Sequence, residues 1–131
     1  MYFQEQPVQQ ENATSKFILV VEDDLDIGRL LVQVLTLETS YRATLFSDGF
    51  TALKAIANLK PNLCILDYQI PRMNGLELYD RIHAMEELKD VPVIMMSAQL
   101  PQREVEKRNI IGIHKPIDLN DFLNIVEKLL N

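Results

Sequence analysis

The side chains in this sequence best suited to chemistry stand at the ends of apolar runs. Glu22 and Asp23 follow Phe17-Ile18-Leu19-Val20-Val21, and Asp67 follows Leu63-Cys64-Ile65-Leu66. Ser97 follows Val93-Ile94-Met95-Met96, and Lys115 follows Ile110-Ile111-Gly112-Ile113-His114. A carboxylate inside such a run would be an unpaired buried charge, so Asp67 belongs on a rim, at the carboxyl end of its strand. Three carboxylates about 5 Å apart repel by about 3 kcal/mol per pair at an effective dielectric of about 20, so ionising them together requires positive charge. A hard divalent cation supplies it, and Mg²⁺, which takes oxygen ligands and keeps waters, matches an acidic cluster without His or Cys. The Lys115 ammonium and the Ser97 hydroxyl both suit phosphate oxygens. A carboxylate beside such an ion can itself attack phosphorus and form an aspartyl phosphate. Each residue taken singly also fits an ordinary role: Asp67 opening a turn, the Glu22-Asp23-Asp24 triplet capping a helix, Ser97 in a turn, Lys115 in solvent.

What would bring them together is the order of the elements. The runs ending at Val21, Leu66 and Met96 are continuous and apolar, as in strands buried on both faces. Tyr41 to Phe46 carries Arg and Thr and reads as an edge strand, and the run before Lys115 is the fifth strand. Between them lie helical patterns. Leu30, Leu31, Val34, Leu35 and Leu37 define the first helix; Phe50, Leu53, Ile56, Ala57 and Leu59, after a cap at Asp48, the second. Leu76, Leu78, Tyr79, Ile82 and Met85 define the third, after a turn from Pro71 to Gly75. Pro101 to Arg108 has Val105 as its one strong apolar anchor and is expected to be weakly held. The last helix, capped by Asp118, carries Leu119, Phe122, Leu123, Val126, Leu129 and Leu130. Strand and helix alternate five times, which predicts an α/β doubly wound parallel sheet with helices on both faces and the flavodoxin-like strand order 2-1-3-4-5. All the polar strand ends then open on one edge.

With 131 residues, the chain makes one domain with a real core. Residues 1 to 15 are polar and unpatterned, a leader before a domain over 16 to 131. A formal charge of -6 disfavours nucleic acid and anionic membranes as partners. No segment reaches membrane-span length and no secretory signal is present, so a cytoplasmic location is expected. Cys64, the only cysteine, lies within an apolar run and reads as core. His83 and His114 lack the spacing of metal ligands.

The segments ILVVEDD at 18 to 24, LCILDYQIPRMNG at 63 to 75, VIMMSA at 93 to 98 and HKP at 114 to 116 together resemble the receiver domain of the two-component response regulator family, over about residues 16 to 130. The resemblance implies that Asp67 is the phosphoacceptor. It implies that Mg²⁺ is held by Asp23 directly, by Glu22 through water, by Asp67 and by the backbone carbonyl of Gln69. Lys115 would pair with the phosphoryl group, the Lys115-Pro116 bond would be cis, and Ser97 would move toward the phosphate. Gln69 and Gln99 would occupy positions that tune dephosphorylation. The implied partners are a histidine kinase or phosphotransfer protein and an unknown downstream protein.

Two departures bear on output. The family's aromatic switch position is Gly112, and the stretch from Ser97 to Lys115 is about one helical turn shorter than the usual pattern. These motivate a second reading, a protein-binding module that works without phosphorylation. An enzyme is a third. A phosphohydrolase of the haloacid dehalogenase type wants a second acid two residues after the nucleophile, where Gln69 stands; flavodoxin-type flavin binding wants a phosphate loop where the acids Glu22 to Asp24 stand.

Overall fold

Five short runs rich in aliphatic residues form the strands of one parallel sheet: β1 (Phe17–Val21), β2 (Arg42–Phe46), β3 (Leu63–Asp67), β4 (Val93–Ser97) and β5 (Ile111–His114). The computed structural model describes residues 15–131, so the leader expected over residues 1–15 lies, apart from Ser15, outside the described residues. The helices are α1 (Leu25–Glu38), α2 (Gly49–Leu59), α3 (Gly75–His83), α4 (Gln102–Lys107) and α5 (Leu119–Leu130). Strand order is 2-1-3-4-5, as expected from the alternation. The three apolar strands without polar interruption are fully buried, whereas β2, with Arg42 and Thr44 exposed, is an edge.

Alternating strand residues feed two cores. Leu19, Val21, Cys64, Leu66 and Met95 pack with Ala52 and Ile56 of α2, Leu78, Tyr79 and Ile82 of α3, and Val105 of α4. Ile18, Val20, Ile65, Ile94 and Met96 pack on the other face with Leu31 and Leu35 of α1 and Phe122, Val126 and Leu130 of α5. Capping fixes where helices start. Asp24, Asp48 and Asp118 each accept backbone N–H bonds at their helix ends, and Asn74 and Glu77 form a reciprocal capping box for α3.

Some faces are rotated from expectation. In α2 the sheet receives Ala52 and Ile56, with Leu53 half-buried, while Phe50, Ala57 and Leu59 are exposed. In α1 Leu31 and Leu35 are buried, but Leu30 and Leu37 face out. Helix α3 stops at His83, so Met85 packs from outside it, and a 3₁₀ turn over Glu86–Leu88 follows.

Helix α4 is held as weakly by apolar contact as expected, with Val105 its only buried residue. Polar bonds compensate. Arg108 donates to Asp80 of α3 through Nε at 2.9 Å and Nη2 at 3.0 Å, and to Glu104 through Nη1 at 2.8 Å. The Tyr79 hydroxyl donates to the Arg108 carbonyl at 2.9 Å. The Arg108 hydrogen bonds hold the Asp80 and Glu104 carboxyls below the ordinary carboxylate range. Depressed values make this contribution complete above the unfolded carboxylate range and lost as pH falls through the folded values. Acidification should therefore lower the amide protection factors, corrected for the intrinsic exchange rate, in residues 102–110 before those of the central strands, and Arg108→Ala should lower them several-fold at neutral pH. Equal exchange in variant and wild type would show that the clamp contributes nothing.

Candidate functional site

Register carries each candidate side chain to the same edge. Val21 lies opposite Leu66, so the next residues, Glu22 and Asp67, are neighbours across β1 and β3. Asp67 lies opposite Met96, and Ser97 follows; Ser97 lies opposite His114, and Lys115 follows. Backbone bonds extend the ladders just beyond the strands. Glu22 N–H donates to Phe46 O at 3.0 Å, Tyr68 N–H to Met96 O at 2.8 Å, and Lys115 N–H to Ser97 O at 3.0 Å. Parallel strands thus deliver Glu22, Asp67, Ser97 and Lys115 to one rim.

At that rim the Lys115 ammonium stands 2.9 Å from Glu22 Oε1 and 3.4 Å from Asp67 Oδ2. Carboxylate oxygens of Glu22, Asp23 and Asp67 lie within 4.8 Å of one another. Glu22, Asp67 and Ser97 are buried, while Asp23 is exposed. Burial raises the Glu22 carboxyl above its ordinary value, with Asp67 adding to the effect and Lys115 and the Asp24 N–H opposing it. Burial alone would lower the Lys115 ammonium, but Glu22 and Asp67 together outweigh it, and the net direction is upward. One ammonium faces three carboxylates. The set is all oxygen and carries excess negative charge, so it fits a hard divalent cation such as Mg²⁺.

The rest of the rim is tightly built. Ser97 Oγ accepts from Gln99 N–H at 3.0 Å and donates to Gln99 O at 3.1 Å. Gln69 N–H donates to Asp67 Oδ1 at 3.4 Å. The Lys115–Pro116 bond is cis. Gly75 N–H donates to Tyr68 O at 2.8 Å, and a Cβ on Gly75 would stand 2.8 Å from Asp67 O and 2.9 Å from the Tyr68 Cα. The start of α3 therefore rests directly on the Asp67 loop. In that loop Arg72 has φ 68°, its guanidinium lies 5.1 Å from the Phe50 ring centroid, and its Nη2 is 3.9 Å from Asp48 Oδ1. Asp24 caps α1, as its ordinary reading predicted. His83 stacks on Tyr79 and its Nε2 lies 2.9 Å from the Val91 carbonyl, an ordinary packing role.

Two features of this edge escaped sequence reasoning. The sequence marks Gly75 as a turn residue, and its contact with the Asp67 backbone leaves no local signal. Leu100 was not singled out, yet its side chain covers Gly112: a Cβ there would stand 2.7 Å from Leu100 Cδ1.

The model of the response regulator receiver domain family matches residues 18–127. The chain belongs to that family. Among curated relatives, this receiver domain is 31% identical to sporulation initiation phosphotransferase F of Bacillus subtilis, over 86% of this chain and 92% of that one. It is 27% identical to the two-component response regulator ORR4 of Oryza sativa subsp. indica, over 91% of this chain but 62% of that protein, so it spans under two thirds of that relative. The non-phosphorylated HemR receiver domain of Leptospira biflexa superposes with a TM-score of 0.80 at 28% identity, over 89% of this chain and 95% of that one. This receiver domain is thus a two-component signalling module. Among the described residues, no helix is long and apolar enough to cross a membrane.

Proposed function

We propose that this receiver domain accepts a phosphoryl group on Asp67 from the phosphohistidine of a histidine kinase or phosphotransfer protein, and thereby changes its affinity for a downstream protein. The observation that carries the reading is the meeting of Asp67 with an ammonium at 3.4 Å and with two further carboxylates within 4.8 Å. Asp67 attacks phosphorus as the donor's P–N bond breaks; the electron pair leaves with the donor imidazole, and an acyl phosphate remains. Glu22, Asp23, Asp67 and the Gln69 carbonyl would hold Mg²⁺, which when bound neutralises charge on the transferring group. Both Glu22 oxygens already have partners, Lys115 and the Asp24 N–H, which suits contact through water.

Lys115 supplies a fixed positive charge beside Asp67. Ser97 supplies a hydroxyl donor, and Gln69 and Gln99, both exposed on the rim, govern how water reaches the acyl phosphate. The modification adds a charge of about -1.5 to -2, which is the differential contact a switch requires. The domain modifies itself and does not turn over phosphate esters steadily. Its place of action is the cytoplasm, and nucleic acid is left to other domains or proteins.

Intact-mass measurement after treatment with acetyl phosphate and Mg²⁺ tests the proposal. The wild type gains one phosphoryl mass, chelation of the metal prevents the gain, and Asp67→Ala gains nothing. A variant that gains the same mass as wild type would end the reading.

A further inference from the structure

Asn74 is the one asparagine of this chain that glycine follows. Such a pair invites ring closure, because no side chain shields the glycine nitrogen from the carbonyl carbon of the asparagine side chain. Position 75 has no room for a protecting side chain: a Cβ there would stand 2.8 Å from Asp67 O and 2.9 Å from the Tyr68 Cα. The seat that needs glycine thus creates the vulnerable bond. The same seat blocks the reaction. Gly75 N–H donates to Tyr68 O at 2.8 Å, which holds the proton that ring closure must remove. Asn74 has ψ 171°, so the Gly75 nitrogen is rotated out of the plane of the five-membered ring it would have to close. Asn74 Oδ1 accepts from Glu77 N–H at 2.9 Å, and Asn74 N–H donates to Glu77 Oε1 at 2.9 Å, so the side chain is fixed over the first turn of α3. The Glu77 N–H also polarises the carbonyl it meets, which by itself favours attack. Alignment outweighs it, since the reacting atoms must face one another before polarisation counts.

We propose that Asn74 is a site of spontaneous deamidation, guarded by the seating of α3 on the Asp67 loop and modified only when that seat opens. Gly75 N, its proton lost to solvent base, bonds to Asn74 Cγ; the Cγ–Nδ2 bond breaks, and Nδ2 takes a proton from solvent and leaves as ammonia. Water then opens the cyclic imide at one of its two carbonyls. No other reactant is needed. Opening at Cγ gives aspartate, which remains a good cap and places a negative charge where the helix favours one. Opening at the backbone carbonyl gives isoaspartate, which routes the main chain through Cβ and Cγ and inserts a methylene directly before Gly75. The two products therefore differ in effect. The aspartate form keeps α3 in place, whereas the isoaspartate form must pull Gly75 off Tyr68 O or drive it against Asp67 O.

The test incubates the full chain at mildly alkaline pH, folded and in urea, with ammonia release followed and aspartate and isoaspartate located by peptide mapping. Mapping separates residue 74 from Asp48-Gly49, where isomerisation also gives isoaspartate but releases no ammonia. With the seat open in about 1% of molecules, residue 74 is modified about 100-fold more slowly in the folded chain than in urea. Glu77→Ala, which breaks the capping box and is checked for folding by circular dichroism, speeds the folded reaction several-fold. Asn74→Ser keeps a capping hydroxyl and releases no ammonia from this position. Equal rates in the folded and unfolded chains overturn the guard, as does a folded Glu77→Ala protein no faster than wild type. An unfolded chain left unmodified at residue 74 overturns the site. The consequence for Asp67 rests on the phosphorylation reading: the purified isoaspartate form gains no phosphoryl mass from acetyl phosphate and Mg²⁺, while the unmodified chain gains one. Equal gain by both overturns the unseating of α3. Gain by neither overturns the phosphorylation reading and leaves the modification site standing.

Discussion

Replacing Lys115 with alanine should lower phosphoryl uptake by Asp67 about 100-fold to 1000-fold, the usual loss when one prearranged charge donor is taken from a transfer site. The same change should destabilise the metal-free protein by about 3 kcal/mol near neutral pH, because it leaves buried carboxylates without their cation. Lys115 is the ammonium 2.9 Å from Glu22 and 3.4 Å from Asp67, and Glu22 is fully buried. The pH dependence has a defined sign. A raised lysine contributes fully below the ordinary lysine range and loses its contribution as pH rises through its folded value, so neutral measurements contain all of it. Glu22 is raised as well, chiefly by burial; its favourable contribution is complete below the unfolded carboxylate range and lost as pH rises through its folded value. Removing Lys115 raises it further, so the variant's deficit should be largest at neutral pH and shrink on mild acidification as Glu22 protonates. Mg²⁺ at about 100 times its Kd should stabilise either protein by about 2.7 kcal/mol, and at one fixed Mg²⁺ concentration the deficit narrows because the variant, freed of the competing ammonium, binds the ion more tightly. Urea unfolding at two pH values, with and without Mg²⁺, checks this; a deficit independent of both would refute the electrostatic account.

A methyl group at Gly75 should do comparable damage by steric means. The atoms it would meet, Asp67 O at 2.8 Å and the Tyr68 Cα at 2.9 Å, are backbone and cannot swing aside as a side chain can. Gly75→Ala must therefore push α3 away from the Asp67 loop or move Asp67 itself. Overpacking of this kind costs about 1–3 kcal/mol. The larger effect is on the reaction, since a displacement of about 1 Å at a reacting group can cost about 100-fold in rate. Single-turnover labelling of the folded variant, with folding checked by circular dichroism, measures it. Uptake at the wild-type rate would show that the loop absorbs the methyl elsewhere.

Much of this architecture was legible because its causes are local or periodic. Unbroken apolar runs mark β1, β3 and β4, a polar residue at each run's end marks the rim, and Asp48 and Asp118 cap the helices assigned to them. The acidic cluster followed, since strand order and register place Glu22 beside Asp67 once the sheet is parallel. What escaped was set by tertiary contact. Periodicity in α2 offers Phe50 and Leu59 as core, but the helix turns Ala52 and Ile56 inward, and Phe50 instead meets Arg72. The pair of Glu104 and Arg108, four residues apart, is visible in the sequence, whereas the bond to Asp80 spans two helices and is not. Leu100 over Gly112 is likewise a meeting of distant positions. A missing side chain was readable there; what fills its place was not.

The conformation of Arg72 carries a consequence for engineering. Its left-handed backbone is one that glycine adopts freely and arginine holds at a cost of about 1–2 kcal/mol. Glycine at 72 would relieve that cost and also remove the guanidinium that braces the Asp67 loop against Phe50 and Asp48 at the start of α2. A screen that selects only for heat resistance would therefore be drawn toward a variant whose Asp67 loop is less firmly held, and such screens on this protein should score signalling competence alongside melting.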